Sequence, residues 1–463
     1  MNAIITSAIL GVIMMFSGIF MKKNSSIASL AILSILVLLA MSVLDMSGYH
    51  FFPVDTHNML EFEAFGHLIN CIVIACTLAY FLLNARDIAS IGNNPGEYFA
   101  LIFFVLCGIS IATSFNSLLM LFIGIEIISI PLYILTGSDK RNLKSNEASL
   151  KYFLMGAFST GIMLLGIAFL YGASAKGSFF LDDMAPVKSA VASPMMMTGL
   201  ILLMISMSFK VSAAPFHFWT PDVYDGAPTV ITSFMATVVK AGTFIAFIRL
   251  FANAFSDIKL QWQIYIAIIA AITLFIGNIT AVFQQSVKRM LAYSSIAQVG
   301  FMLLSIITIN TLAKEGIILY VTVYSIATIG LFAILVRMKD FSLDGFNGLA
   351  RRYPVVAFTS TIFLLSLAGI PLTGGFLAKY YMISSVMQTG SYLWLVIFAL
   401  LCATVSVYYY FRVIQAMYFK EGVAQQLEIG PGFQLMLLIL ALITILLGIF
   451  PQLLIDRLYI IYI

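Results

Sequence analysis

Runs of about 20 uncharged, apolar residues follow one another along almost the whole chain, and each is long enough to cross a bilayer as a helix. That repetition restricts the fold more than any other feature. Of 463 residues, 62% are hydrophobic and only 10% are charged, against about 25% charged in a soluble globular protein. No stretch is polar enough to form a separate soluble domain. In lipid each backbone group must be satisfied within the structure, so only helices or a closed barrel can span. The runs do not alternate as barrel strands would. The sequence therefore predicts an all-α polytopic membrane protein with about 14 transmembrane helices. They fall at 3–21, 26–44, 66–85, 97–113, 117–136, 148–172, 195–218, 228–253, 262–284, 291–309, 314–337, 354–386, 393–419 and 432–455. The first run has no basic residue before it and Lys22 and Lys23 after it, so it reads as an uncleaved first span rather than a signal peptide.

The loops carry charge unequally. The odd-numbered loops hold 15 basic residues: Lys22, Lys23, Arg86, Lys140, Arg141, Lys144, Lys151, Lys288, Arg289, Arg337, Lys339, Arg351, Arg352, Arg412 and Lys420. The even-numbered loops and the C-terminal tail hold six: Lys176, Lys188, Arg249, Lys259, Lys314 and Arg457. Basic residues favour the cytoplasmic side, so both termini are expected outside it. The net charge of +4 forms no basic, aromatic-interleaved patch, and nucleic acid is not an expected partner. Cys71, Cys76, Cys107 and Cys402 lie in apolar runs and read as packing residues. No iron–sulfur, haem or zinc ligand set and no strand-following GxGxxG loop is visible. His50, His57, Glu61 and Glu63 have no metal-ligand spacing. The chain itself is expected to bind no cofactor or metal.

Three basic residues remain, Lys210, Lys240 and Lys379, and all fall within spans; Glu126 is the acidic residue well inside one. A charge at a helix centre costs about 2.5–3.5 kcal/mol on insertion scales, so these four must face the protein interior. Snorkelling explains a lysine near a helix end, such as Lys151, but not Lys210 or Lys240. Burial lowers a lysine's proton affinity and raises a carboxylate's. Buried lysines beside a movable carboxylate can therefore take and release protons. Prolines accompany these residues: Pro131 five after Glu126, Pro215 five after Lys210, and Pro371 within GIPLTGGF before Lys379. A proline within a helix frees the carbonyl four residues before it, here those of Ile127 and Val211. Broken helices beside ionisable residues are how transporters build ion sites. His217 is placed to relay a proton beyond Lys210. Asp222 and Asp225 are expected at a cytoplasmic mouth, or as caps of the next helix.

Spans four to eight contain one broken helix with a lysine, and spans nine to thirteen another. Five is odd, so the two blocks have opposite orientations: two inverted five-helix repeats. The expected division is 1–92, a three-helix segment; 93–257, the first repeat; 258–421, the second; and 422–463, a last helix.

FKVSAAPFHFWTPDVYDGAPT (209–229) followed by ATVVKAG (236–242) resembles the seventh and eighth helices of the antiporter-like subunits of respiratory complex I, the proton-translocating NADH–quinone oxidoreductase. QQSVKRMLAYSSIAQVG (284–300) and LAGIPLTGGFLAKYYM (367–382) are similar to that family's later signatures, and the resemblance spans essentially the whole chain. Within the family, GGFLAKYYM and ASLKYFLMGAFSTG (148–161) fit the subunit N branch. The middle antiporter-like subunit has a glutamate where Lys379 stands. The larger distal one has a lateral helix, not expected in a chain that stops after its last span. The resemblance implies a Glu126–Lys210 charge pair, Lys240 as central relay, Lys379 as exit-side site, and Lys151 as a modulator of the pair. It also implies that NADH, FMN, iron–sulfur clusters and quinone belong to other subunits. The partners would be complex I membrane subunits, especially the neighbouring antiporter-like one, in a bacterial inner membrane. Gln298 departs from the pattern: a histidine is common there, and glutamine cannot titrate. Two other readings are a subunit of a multi-subunit sodium/proton antiporter and a purely structural scaffold.

Overall fold

The computed structural model describes residues 1–92, 94–174, 176–184, 192–422 and 424–460. Lys188, counted above on the sparser face, lies outside them. Among the described residues, thirteen helices are long and apolar enough to cross a membrane. In chain order they begin with α1 (Asn2–Phe20), α2 (Asn24–Met46), α3 (Ala64–Ile88), α4 (Pro95–Ala112), α5 (Leu118–Thr136), α6 (Leu143–Ala173) and α7 (Pro194–Val211). A short helix, α8 (Trp219–Gly226), follows. Then come α9 (Thr229–Ala254), α10 (Lys259–Val282), α11 (Val287–Thr308) and α12 (Thr311–Val336). Two half-helices, α13 (Pro354–Ala368) and α14 (Gly374–Met387), together take the place of a fourteenth crossing. The chain closes with α15 (Leu393–Tyr418), α16 (Pro431–Ile449) and a short α17 (Gln452–Ile460). Among the described residues, β pairing is limited to isolated bridges, such as Leu60 with Phe115.

The expected spans hold, with informative exceptions. The seventh was expected to run to 218, but α7 ends at Val211. Ser212 turns left-handed at φ 68° and its N–H returns to the Phe209 and Ser208 carbonyls, while the Trp219 indole N–H takes the Phe209 carbonyl at 3.1 Å. The helix is thus capped before Pro215, so Pro215 does not free the Val211 carbonyl within a running helix. Pro131 behaves differently: α5 continues through it. The twelfth span, expected as one helix over 354–386, is divided. Gly369 is left-handed at φ 84°, and the N–H groups of Gly369 and Ile370 bond back to Leu365 and Ser366 carbonyls, the usual glycine termination of a helix.

Two loop assignments are also corrected. Arg249 lies within α9 and is 5% exposed. Lys288 is in the first turn of α11 and is 3% exposed. Both were placed in loops because each sits near the end of an apolar run, where sequence alone does not separate a solvated charge from an inward-facing one.

The two blocks repeat one packing scheme. The first helix of each lies along the second (α4 on α5, α10 on α11), and the third lies along the broken fourth (α6 on α7, α12 on α13 and α14). The apolar windows of α9 and α12 are buried throughout, and that of α11 nearly so. Perimeter helices instead turn large apolar side chains outward, Phe20, Phe158 and Leu401 among them. The innermost helices are therefore those that carry Lys240, Gln298, Tyr320 and Tyr324, where each polar group needs a partner from within the protein.

Candidate functional site

The first block brings Glu126 and Lys210 together, but not into direct hydrogen-bonding contact. Lys210 Nζ is 3.9 Å from Glu126 Oε1, with side chains 5% and 23% exposed. Its close partners are hydroxyls: Lys210 Nζ donates to Ser129 Oγ at 2.9 Å and to Thr160 Oγ1 at 3.4 Å. Thr160 in turn donates to Glu126 Oε1 at 2.7 Å. A threonine from α6 thus stands between the acid on α5 and the base on α7. Ser129 follows Glu126 by three residues, the spacing that puts two side chains on one helix face, and could have been found from sequence. Thr160 could not, since nothing local ties it to Glu126.

Lys240 starts an α-helical stretch directly after a π turn, Met235–Val239, inside α9. Such turns often occur at functional positions. Lys240 is 2% exposed. Its Nζ donates to Ser295 Oγ at 2.9 Å and to the Ser295 carbonyl at 3.2 Å, and it lies 5.6 Å above the Tyr224 ring. Tyr324 holds the π turn, donating to the Ala236 carbonyl at 2.9 Å.

Lys379 folds back from α14 onto the end of α13. Its Nζ donates to the Leu367 carbonyl at 2.8 Å and the Ala368 carbonyl at 3.0 Å. These are terminal carbonyls of a half-helix, where the helix dipole favours a cation. Gln298 donates to the same Leu367 carbonyl at 3.0 Å and to Tyr410 Oη at 3.0 Å, and accepts from the Tyr320 hydroxyl. Tyr410 Oη also pairs with Ser294 Oγ. Gln298, Tyr320, Tyr324 and Lys379 line one cavity. On α11, Ser295 and Gln298 are three residues apart, so one helix carries the ligand of Lys240 and the amide that shares a carbonyl with Lys379.

The remaining candidates lie elsewhere. Lys151, expected to modulate the pair, bonds to Glu147 at 2.7 Å and Asp222 at 3.1 Å; no contact with Glu126 is present among the described residues. Asp222 also meets Arg289 at 3.2 Å. These residues, with Lys144 and Asp225, line an open recess of about 150 Å³. His217 is 6% exposed, its ring lies on Phe218, and its Nδ1 has no hydrogen-bond partner among the described residues. Arg249 pairs with Glu61 at 3.2 Å and Glu63 at 3.0 Å, so those loop acids neutralise a buried arginine of α9. Among the described residues, no three His, Cys, Asp or Glu side chains gather as a metal ligand set.

Residues 115–406 match the family described as NADH:quinone oxidoreductase/Mrp antiporter, TM. NADH-quinone oxidoreductase subunit N of Cytophaga hutchinsonii is 40% identical over 98% of this chain and 99% of that protein. The chain belongs to the NADH-quinone oxidoreductase subunit N family. As a subunit N family member it also resembles solved structures. A chain of respiratory complex I from Thermus thermophilus with bound aureothin superposes with TM-score 0.83 at 28% identity, covering 98% of this chain and 99% of that one. A chain of the Mrp complex from Dietzia sp. reaches TM-score 0.85 at 18% identity, covering 99% and 96%; that likeness is one of fold. Subunit N family membership thus accords with the resemblance carried by 209–229 and 367–382.

Proposed function

We propose that this chain translocates protons across a bacterial inner membrane as a subunit of an NADH–quinone oxidoreductase. The observation that carries the reading is a series of enclosed protonatable groups, two of them at the helix breaks of the two repeats and one on the central helix. Lys210 sits at the end of α7 with Glu126 one hydroxyl away, Lys240 sits on the central helix α9, and Lys379 sits on the carbonyls that end α13. In this reading Lys210, when charged, is held by Glu126 through Thr160. Loss of that support lowers its proton affinity, and the proton passes inward to neutral Lys240. Lys240 then passes it toward Lys379, along the part of α11 that carries Ser295 and Gln298. Gln298 cannot titrate. It orients the Tyr320 and Tyr410 hydroxyls instead, so transfer there runs through hydroxyls and water. The buried hydroxyls of Ser208 and Ser233, which have no hydrogen-bond partner among the described residues, are groups that a water chain would satisfy.

Electron transfer, with NADH, FMN, iron–sulfur clusters and quinone, belongs in this reading to other subunits, and this chain carries out no redox step. Its partners are the other membrane subunits, the neighbouring antiporter-like one above all. Coupling arrives as a change of charge or packing at that interface, worth a few kcal/mol per step. The division at 93, 258 and 422 separates the two half-channel units from their flanking helices, and both termini lie outside the cytoplasm. Lys151 modulates the first unit from the recess it lines, and buried His217 relays or modulates proton transfer beyond Lys210. The test is NADH-driven proton movement in vesicles containing the assembled complex. Lys210→Ala and Lys240→Ala are expected to abolish this chain's share of pumping while leaving assembly intact. Normal pumping in both would leave a scaffold role, and strict sodium dependence would favour an antiporter.

A further inference from the structure

Lys288 is a buried lysine outside the line just described. It is 3% exposed, and its Nζ donates to the Asp225 and Ala227 carbonyls, each at 2.8 Å. Those carbonyls lie at the end of α8. Its Nζ also lies 5.6 Å above the Phe341 ring. No carboxylate is within ion-pair distance of its ammonium among the described residues. Two observations connect it to Lys240. The first is α11: Lys288 and Ser295 are seven residues apart, which places them on one face about 10 Å apart along the axis, and Ser295 holds Lys240. The second is α8: Asp225 holds Lys288 through its carbonyl, while the preceding residue, Tyr224, places its ring against Lys240. The two ammonium groups therefore sit against the same two elements.

Through Asp225, whose carbonyl it holds, and Arg289, its neighbour in the chain, Lys288 adjoins the recess of about 150 Å³ lined by Lys144, Asp222, Asp225, Gly226 and Arg289. That recess lies on the face with the basic loops. A buried ammonium whose partners are neutral carbonyls can lose its proton without leaving a bare carboxylate behind. A salt-bridged lysine at the same place could not.

We propose that Lys288 is a further proton-carrying residue of this chain, taking protons from the recess and passing them toward Lys240. This inference rests on the proton-translocation reading above. In the step, an N–H bond of the Lys288 ammonium breaks and the electron pair stays on nitrogen. The proton crosses through water and the Ser295 hydroxyl to the neutral Lys240 amine. The neutral Lys288 then takes a proton from water in the recess. The route is separate from the Glu126–Lys210 pair, and gives the central lysine its own inlet.

The alternative role is structural, a cation capping the end of α8. The test uses the assembled complex in vesicles and compares Lys288→Arg, Lys288→Gln and Lys288→Met with Lys240→Ala, reading protons moved per NADH oxidised and turnover per assembled complex. Arginine and glutamine keep donors for the two carbonyls, but neither can lose and regain a proton near neutral pH. A proton carrier predicts a fall of about tenfold in turnover for all three Lys288 variants. A cap predicts that arginine or glutamine works normally per assembled complex while methionine does not, and that result overturns the proposal. So does failure of all three to assemble, which makes the residue structural. If Lys240→Ala also pumps normally, the translocation reading itself falls. If Lys240→Ala fails and the Lys288 variants do not, only the present proposal does.

Discussion

A threonine hydroxyl has one proton to donate, and Thr160 has two acceptors in reach: Glu126 Oε1 at 2.7 Å and the Gly156 carbonyl at 3.1 Å. Turned to Glu126, it supports the carboxylate; turned to Gly156, it leaves the carboxylate one bond short. A charge-assisted hydrogen bond of this kind is worth about 1.5–3 kcal/mol, enough to move a proton equilibrium by one to two decades. Thr160→Val keeps the shape and removes the hydroxyl. It is expected to slow NADH-driven pumping about tenfold with normal assembly, and Thr160→Ser is expected to restore most of the rate. The ionisable members of the proposed pathway were legible in the sequence because charge is rare in lipid: Glu126, Lys210, Lys240 and Lys379 stood out by rarity and spacing, and the structure turns all four toward other helices. Their partners were not, because Ser, Thr and Tyr are common in membrane helices and only the packing of α5 on α6, or α11 on α12, selects the ones that matter. Gln298 is intermediate. Its departure from the histidine pattern marked it, but its three hydrogen bonds could not be read from sequence. Gln298→Leu leaves Tyr320, Tyr410 and the Leu367 carbonyl short of a partner, and is expected to lower stability by about 2–4 kcal/mol. Thermal unfolding of the purified complex measures this.

The breaks are properties of elements rather than of single residues. GIPLTGGF announced an interruption, yet the apolar run over 354–386 looked like one helix because hydropathy does not register backbone turns. Gly369 makes the turn, and Gly375 lets α14 approach α13. A Cβ on Gly375 would stand 1.9 Å from the Ser366 carbonyl oxygen, and the Gly375 N–H itself bonds to Ser366 Oγ at 3.2 Å. Gly375→Ala therefore cannot be absorbed by a side-chain shift. It is expected to cost about 3 kcal/mol or more and to separate the half-helices that hold Lys379. The measurement is the amount of assembled complex in membranes, which should fall to a small fraction of the parent level. Near-parental assembly would mean that the break is looser than its geometry. In the first repeat the sequence misattributed the break to Pro215, whereas Ser212 and Trp219 end α7 first. A capped helix end and a proline a few residues later leave the same trace in sequence.

At the scale of the whole molecule, burial sorts the helices. Outer helices present apolar side chains to lipid, and α9, α11 and α12 form the interior. Lys240 lies on one of these interior helices, and Lys210 and Lys379 point inward from α7 and α14 with little exposure, while Glu126 on α5 keeps part of its side chain accessible. The loop count predicted orientation, and that prediction survives the relocation of Arg249 and Lys288: removing one basic residue from each face leaves the same face richer. A reporter enzyme active only outside the cytoplasm, fused after residue 463, is expected to be active, and one fused after Arg141 inactive. In the proposed mechanism Lys240 carries the proton between the two halves. Protons moved per NADH oxidised, measured in vesicles with the assembled Lys240→Ala complex, test it most directly. A clear fall in that ratio, or loss of coupled turnover altogether, is expected with assembly unchanged. A ratio and a turnover equal to those of the parent complex would contradict it.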